Sequence, residues 1–157
     1  MIKSLTTTAA ALALMLAIPA TASAQELVNG ADLDQLESML KRHGDVTRTT
    51  DGIGDPLFQG RIDGTKYEMF LFGCNEDHKR CDEVMFKAAW ATDGVSLKSL
   101  NKWNADGRYG KAYRDDENDP VLEMNVNLDN GVTTRNFNDT IAIWKRVMAQ
   151  FEEEIVP

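Results

Sequence analysis

The chain has 157 residues and is acidic, with 25 Asp and Glu against 17 Lys and Arg and a formal net charge of −8. This charge repels nucleic acids and anionic lipid surfaces at long range, which argues against general binding to either. The length suits one domain around one core, and the sequence contains no internal repeat and no low-complexity linker.

Residues 1–24 have the pattern of a signal peptide. Lys3 supplies the positive end, an apolar run covers Ala9–Ile18, and Ala22–Ala24 offers small residues for cleavage before Gln25. The run is about half the ~20 residues that a membrane-spanning helix needs, and no cysteine near the cleavage point could carry a lipid. We therefore expect an exported protein, periplasmic or secreted, with no stable membrane insertion after cleavage.

Cleavage would leave residues 25–157 as a single mature domain. Because Lys3 is the one charged residue of the removed segment, this domain carries 16 basic and 25 acidic residues, a formal charge of −9. Such a charge favours solubility and leaves protein and peptide partners open. We expect a partner of that class, and no nucleic acid.

The mature chain is predicted to begin with a helix and an edge strand. Asp32 can cap the helix, with Gln35 as the reciprocal capping partner, and Gly44 can end it. The next segment, Val46–Thr50, has the composition of a strand with one strong hydrophobe, which favours an edge position. The buried stripe of the helix is predicted to be Leu33, Leu36 and Leu40.

The following two strands are predicted to form a hairpin. Pro56–Ile62 and Tyr67–Gly73 flank Asp63-Gly64, which is a strong hairpin turn signal. Within the second strand, Met69–Phe72 is apolar on both faces. This continuity predicts a central strand that is covered on both sides.

The two cysteines, Cys74 and Cys81, bracket a polar loop. An even number of cysteines in an exported protein favours a disulfide, which would stabilise the fold by about 2.5 kcal/mol through chain entropy. Zinc is an alternative, with His78 and His43 as further ligands, although the spacing C-x3-H-x2-C is uncommon for zinc. A redox-active cysteine pair is a third interpretation, but the cysteines of redox-active motifs are usually closer together in the sequence. We expect no metal and no cofactor.

A half-buried strand precedes a central helix. The helix can begin at Ser96 and end at Asp106-Gly107, and Arg108–Arg114 is predicted to form the next strand. A short connection would then bring Trp103 into the core against Tyr109 or Tyr113. The predicted inner face of the first strand is Val84, Phe86, Ala88 and Trp90, and the helix places Leu97, Leu100 and Trp103 at helical spacing.

A hairpin and a long helix complete the predicted domain. The acidic turn of residues 115–119 leads into Val121–Leu128, whose alternation predicts one wet face, and the turn does not match a calcium-binding EF-hand loop. The last helix can be capped by Thr133. Its apolar stripe is Phe137, Ile141, Trp144, Met148, Phe151 and Ile155. The order α-β-β-β-β-α-β-β-α predicts an α+β fold with a mainly antiparallel sheet.

Recognisable catalytic patterns are absent from the sequence. There is no G-x-S-x-G, and Gly52-Ile53-Gly54 lacks both the third glycine and the following helix of a dinucleotide fingerprint. The two histidines, His43 and His78, fall at a helix end and in a polar loop. Without a nucleophile–base pair or a phosphate cradle, we expect a protein that is not an enzyme.

The central segment is the most basic part of the chain and admits two interpretations. It can be a surface that receives an acidic or amphipathic peptide, or its aromatics can pack in the core while its charges are solvated, which is more typical at element boundaries. Asn101 and Asn104 are poor helix formers, and we expect them to bond the backbone of a neighbouring strand. The alternating basic and aromatic residues are Lys98, Lys102, Trp103, Arg108, Tyr109, Lys111, Tyr113 and Arg114.

The same segment resembles the central motif of the YbjN-domain family, a bacterial family described as sensory-transduction regulators. The resemblance extends from about Leu33 to Phe151 and implies a fold similar to type III secretion chaperones. It also implies two cysteines around a polar loop, and partner binding along a sheet face or helical groove, often in dimers. The matching motif residues, which are also the candidate binding surface, are Asn101, Lys102, Trp103, Asn104, Arg108, Tyr109, Lys111, Ala112 and Tyr113.

The residues and the resemblance together predict an exported, non-catalytic binding or chaperone-like protein with a regulatory role. Its expected partner is a protein or peptide, and a homodimer is a further expectation from the resemblance. The alternative is a periplasmic small-molecule sensor of envelope signalling. A concave surface lined by Arg108, Lys111 and Arg114 would favour partner binding.

Overall fold

The computed structural model describes residues 26–92 and 94–157. The predicted signal peptide and its cleavage point lie outside the described residues, and no helix within them is long and apolar enough to cross a membrane. The elements in chain order are β1 (Leu27–Val28), α1 (Leu33–Lys41), β2 (Val46–Thr50), β3 (Pro56–Ile62), β4 (Thr65–Phe72), β5 (Glu83–Ala89), α2 (Leu97–Asp106), β6 (Lys111–Arg114), β7 (Pro120–Asn127), β8 (Val132–Thr133) and α3 (Thr134–Glu154).

Six of the strands form one antiparallel sheet in the order β2-β3-β4-β5-β7-β6. The predicted α+β class and the order of the long elements are confirmed, and Val46–Thr50 is an edge strand as expected. A small additional sheet pairs β1 with β8. Each of these two strands has only two residues, too few for an alternating pattern to be visible in the sequence.

All three helices pack against the same face of the six-stranded sheet. One row of core side chains crosses β3, β4, β5 and β7 as Phe58, Met69, Phe86 and Met124. The buried cluster joins this row to residues of every helix, namely Leu36, Met39 and Leu40 of α1, Leu100 and Trp103 of α2, and Phe137, Ile141, Trp144, Val147, Met148 and Phe151 of α3. We call this side of the sheet the covered face.

The long helix α3 supplies most of the cover. The Thr133 side chain caps it by accepting a hydrogen bond from the Asn136 backbone N–H at 3.1 Å, as predicted. The Trp144 ring is fully buried and lies 5.6 Å from the Phe86 ring, centroid to centroid. Of the predicted stripe, Ile155 lies just beyond the helix and is half-buried.

The first helix differs from its prediction in two details. Asp32 caps α1 by accepting from the Gln35 backbone N–H at 2.9 Å, but the Gln35 side chain donates to Glu26 instead of returning to the cap. Leu33 is half-buried, because it is the first helical residue, and Met39 takes its place in the buried stripe.

The segment around α2 corrects three predictions. Ser96 caps the helix and Gly107 follows its last residue, as expected, but Leu97 is 60% exposed. At about 100° per residue, Leu97 points roughly 120° away from Trp103 and so leaves the sheet. Residues 108–110 form a loop and not the start of β6. Neither Tyr109 nor Tyr113 meets Trp103 in the core, since Tyr109 is 50% exposed and Tyr113 lies on the opposite face of the sheet.

Strand β4 corrects a further prediction. It is central, as expected, and it buries Tyr67, Met69 and Leu71 against the helices. The intervening Phe70 and Phe72 are only half-buried, so the strand is covered on one side. An apolar run shows that both faces carry hydrophobic side chains, but it cannot show that a helix is present on each side.

Candidate functional site

The sheet face opposite the helices carries no element of secondary structure among the described residues, and we call it the open face. Strand alternation assigns its side chains, because residues that flank a core residue point the other way. A polar row crosses all six strands in register, as Thr47, Gln59, Glu68, Lys87, Glu123 and Lys111.

A second row of the open face is apolar at its centre. Leu57, Phe70 and Met85 lie side by side on β3, β4 and β5, and the Phe72 ring stacks on the Phe70 ring with centroids 6.1 Å apart. Leu57 is buried, whereas the other three are half-buried, and none of the four belongs to the core cluster. These four residues, which we call the apolar corner, form a hydrophobic patch that is separate from the core.

A groove of about 1060 Å³ lies over the polar row and over the end of the open face beyond it, and no residue of the apolar corner lines it. It spans β2 to β5 and is bounded by the connection between α1 and β2. Gly60 lies in its lining with the Tyr67 ring packed behind it, and an added Cβ at Gly60 would lie only 2.7 Å from that ring. The open-face side chains that line the groove are Thr47, Gln59, Arg61, Lys66, Glu68, Lys87 and Ala89.

Polar contacts within the sheet hold several open-face side chains in place. The Gln59 side chain donates to Glu68 at 2.9 Å. The Glu123 carboxylate accepts from the Tyr113 hydroxyl and lies 3.8 Å from the Lys111 ammonium. Burial, and then the contact with Glu123, raises the pKa of Tyr113, so its hydroxyl stays protonated and donates at neutral pH.

The disulfide loop borders the apolar corner. The structure contains the Cys74–Cys81 disulfide that the sequence predicts. The His78 ring lies 2.7 Å from the Asp55 carboxylate through Nδ1 and packs over Gly54, whose φ of +100° disfavours any side chain there. Because His78 contacts Asp55 and both thiols are bonded to each other, these residues do not form the zinc set considered above. Among residues 26–92 and 94–157, no three His, Cys, Asp or Glu side chains cluster as metal ligands would.

One half of the family-like motif is structural. Trp103 is buried and packs edge-on against Phe151, with ring centroids 5.1 Å apart. The Asn104 side chain makes two bonds with Ala112 of β6, donating to its C=O at 2.9 Å and accepting from its N–H at 2.8 Å. This is the bond to a neighbouring strand that the sequence predicts for Asn104. Arg114 donates to the Val95 carbonyl and is likewise used within the fold.

The other half of the motif is exposed at the β6 edge of the open face. Asn101 is exposed and, among the described residues, its side chain does not make the bond to a neighbouring strand that the sequence predicts, which Asn104 makes instead. Arg108, Tyr109 and Lys111 line a concavity of about 670 Å³ together with the open-face residues Glu123 and Asn125. Two of the three cations expected on one concave surface are therefore brought together, whereas Arg114 is not.

Sequence reasoning missed the main feature of this region, which is the open face itself. The signal was present in Met69–Phe72, since Phe70 and Phe72 alternate with the core residues Met69 and Leu71. The like-charged neighbours Arg61 and Lys66, directly opposite in register, could also have been found from the Asp63-Gly64 turn. Both patterns mark an uncovered surface because the helices of the described residues pack on the other face.

The comparisons with known proteins give one match. The model of a family described as "putative bacterial sensory transduction regulator" matches residues 32–156, which include every helix and the whole six-stranded sheet. No curated protein and no solved structure matches the chain. The likeness to type III secretion chaperones therefore stays a prediction.

Proposed function

The chain belongs to the YbjN family, and from this premise we propose that it is an exported binding protein with a regulatory role, which holds a protein or peptide partner on its open face. The observation that carries this proposal is the sheet that keeps all its helices on one side. Its other side carries Phe70, Phe72 and Met85, which are half-buried, and, from the next row of side chains onward, a groove of about 1060 Å³. Hydrophobic side chains gathered on an exposed surface typically mark an interaction site.

The non-catalytic part of the proposal rests on the family and on the cysteines. The family is described as regulators and not as enzymes. Cys74 and Cys81 are joined in a disulfide, so neither is available as a thiolate nucleophile in this state. Binding and release of a partner are then the means by which the protein would act.

The test is capture of a partner with matched surface variants. We would cross-link the mature protein in periplasmic extract and compare Phe70→Ser, on the open face, with Leu97→Ser, a 60% exposed residue of α2. We expect a saturable partner that binds the wild type and Leu97→Ser equally and Phe70→Ser at least about fivefold more weakly, since an aromatic residue at the centre of an interface can cost about 1 kcal/mol or more when it is removed. Equal capture by both variants, or no saturable partner, would contradict the proposal.

Export has its own test. The intact mass of the full-length gene product, expressed in a Gram-negative host and recovered from the periplasm, should correspond to a chain that begins at Gln25. A product that keeps residues 1–24, or that is recovered only from the cytoplasm, would contradict export without affecting the binding proposal.

A small-molecule sensor is a second candidate, because the volume of the groove is in the range of ligand pockets. A thermal-shift screen of metabolites distinguishes the two. A stabilising compound whose effect is lost in a groove variant such as Lys87→Gln would favour the sensor. Partner capture that depends on Phe70, with no stabilising compound, would favour the binding protein.

A further inference from the structure

We propose that the segment held on the open face is an acidic one with an apolar anchor, its carboxylates lying over Arg61 and Lys66 and its apolar side chain over Phe70 and Met85. This inference rests on the proposed function and names the chemistry of the partner. It also states which end of β4 the acidic part of the segment faces and which end its apolar part faces.

The distribution of charge supports an acidic partner. The open face carries four basic side chains, Arg61, Lys66, Lys87 and Lys111, against three acidic ones, Glu68, Glu83 and Glu123. The rest of the sequence carries 13 basic and 22 acidic residues, out of 17 and 25 in the whole chain. The open face is therefore slightly positive on a strongly negative protein, and this contrast steers acidic segments to it.

The cations are concentrated at the groove end of the face. Arg61 and Lys66 lie directly opposite each other on β3 and β4, an arrangement that destabilises a sheet unless an anion separates the charges. The Arg61 guanidinium donates to the Gly64 carbonyl at 2.7 Å, and Lys66 is exposed and makes no ion pair within the described residues. A carboxylate from a partner could contact both side chains.

The apolar corner gives the other end of the segment. Phe70 follows Lys66 by four residues on β4, so the two lie roughly 13 Å apart along the strand. Met85 is directly opposite Phe70 on β5. A partner in extended conformation would thus need its anchor and its carboxylates about four residues apart.

A second copy of the chain is a less suitable occupant, because its open face has the same small excess of positive charge, four cations against three carboxylates, and so offers no charge complementarity. Long polyanions are also less suitable, because the net charge of −8 repels them. A short acidic segment avoids both difficulties, since only its few charges approach the protein.

The experiment measures binding of fluorescein-labelled ten-residue peptides by anisotropy. The reference peptide has adjacent Phe and Leu residues and, four positions further on, two adjacent Glu residues, in a Gly/Ser background. One comparison peptide replaces Glu with Gln, one replaces Glu with Lys, and one replaces Phe and Leu with Ser. We expect the reference peptide to bind at least about fivefold more tightly than each of the others. This ratio corresponds to a loss of roughly 1 kcal/mol when either the Glu pair or the Phe-Leu pair is replaced.

Protein variants locate the site. Lys66→Glu should weaken the reference peptide by about fivefold or more and leave the Gln peptide nearly unchanged, because it affects the carboxylate end alone. Phe70→Ser should weaken both peptides. The controls are Arg146→Glu in α3 and Leu97→Ser in α2, which replace exposed residues outside the open face and should have no effect. Thermal melts of all four variants check that they fold.

Three outcomes of the peptide experiment would overturn the inference, namely no binding of the reference peptide at about 1 mM, equal binding of the Glu and Gln peptides, or equal effects of Lys66→Glu and Arg146→Glu. A concentration-dependent dimer that is lost in Phe70→Ser would also overturn it, in favour of a second copy. If the capture experiment still yields a Phe70-dependent partner without an acidic segment, the proposed function survives and only this inference fails.

Discussion

The two faces of the six-stranded sheet carry similar hydrophobic side chains but have different surroundings. On the covered face, Phe86 is fully buried and contacts three aromatic rings, those of Tyr67, Phe137 and Trp144. On the open face, Phe70 has Phe72 as its one ring neighbour among the residues that the structure describes, and it stays half-buried. The difference teaches that hydrophobicity alone does not assign a side chain to the core, because the location of the helices decides it.

The family-like motif contributes residues both to the covered face and to the open face. Trp103 and Asn104 connect α2 to the core and to β6, whereas Arg108, Tyr109 and Lys111 lie at the rim of the open face. A motif of this kind can preserve the fold with one half and present a surface with the other. Its two halves should therefore respond differently to substitution.

The largest expected effect separates the two faces directly. Phe86→Ala should lower the free energy of unfolding by about 3–5 kcal/mol, since it removes a fully buried ring and leaves a cavity. Phe70→Ala is the matched control and should cost less than about 1.5 kcal/mol, because much of its surface is already in water. Urea denaturation measures both. Equal losses would mean that the open face is covered in solution.

The next effect concerns the loop at the border of the open face. Replacing Cys74 and Cys81 together by Ser should lower the free energy of unfolding by about 2.5 kcal/mol, because the unfolded chain gains the freedom that the disulfide removes. The same urea series, with and without reductant, measures it. Reductant should destabilise the wild type and leave the double variant unchanged, and a reductant-insensitive wild type would refute the prediction.

The motif gives a smaller effect with an internal control. Asn104→Ala should cost about 1–3 kcal/mol, since it leaves the N–H and C=O of Ala112 without their partners. Asn101→Ala, three residues earlier and exposed, should be neutral or stabilise slightly, because alanine is the better helix former. Thermal melts compare the two. Similar destabilisation by both would show that the Asn104 bonds contribute little.

The smallest expected effect is a pH dependence of the free energy of unfolding that arises from His43. Burial, with the positive charges of Lys145 and Arg42, lowers the pKa of His43 below 6.5. The unfolded chain therefore binds more protons than the folded one below about pH 6.5, and stability falls as the pH falls through that value. His43→Gln should remove this part of the pH dependence between about pH 7.5 and 5. Parallel pH profiles of the two proteins would contradict it.

Local patterns predicted local structure well. The caps at Asp32, Ser96 and Thr133 were read from residue type and spacing, because a capping side chain bonds to a backbone N–H only three positions away. The bond from Asn104 to a neighbouring strand was predicted for a similar reason. It follows from an asparagine that is poorly suited to a helix and that stands shortly before a strand.

Features that depend on the arrangement of whole elements could not be predicted in this way. Tyr109 was placed in a strand because aromatic residues favour strands, but the chain needs residues 108–110 to turn from α2 into β6, with Gly110 at a φ of +78°. The open face was missed because alternation shows that a strand has two faces without showing which one the helices cover.

The short pairing of β1 with β8 brings the beginning and the end of the described fold together. The Thr134 backbone N–H donates to the Glu26 carbonyl at 3.2 Å, and α3 provides much of the cover for strands that precede it in the chain. The amino-terminal elements therefore have no complete hydrophobic support until the last twenty or so residues have been synthesised. We expect a chain with this dependence to complete its core only after α3 has been made.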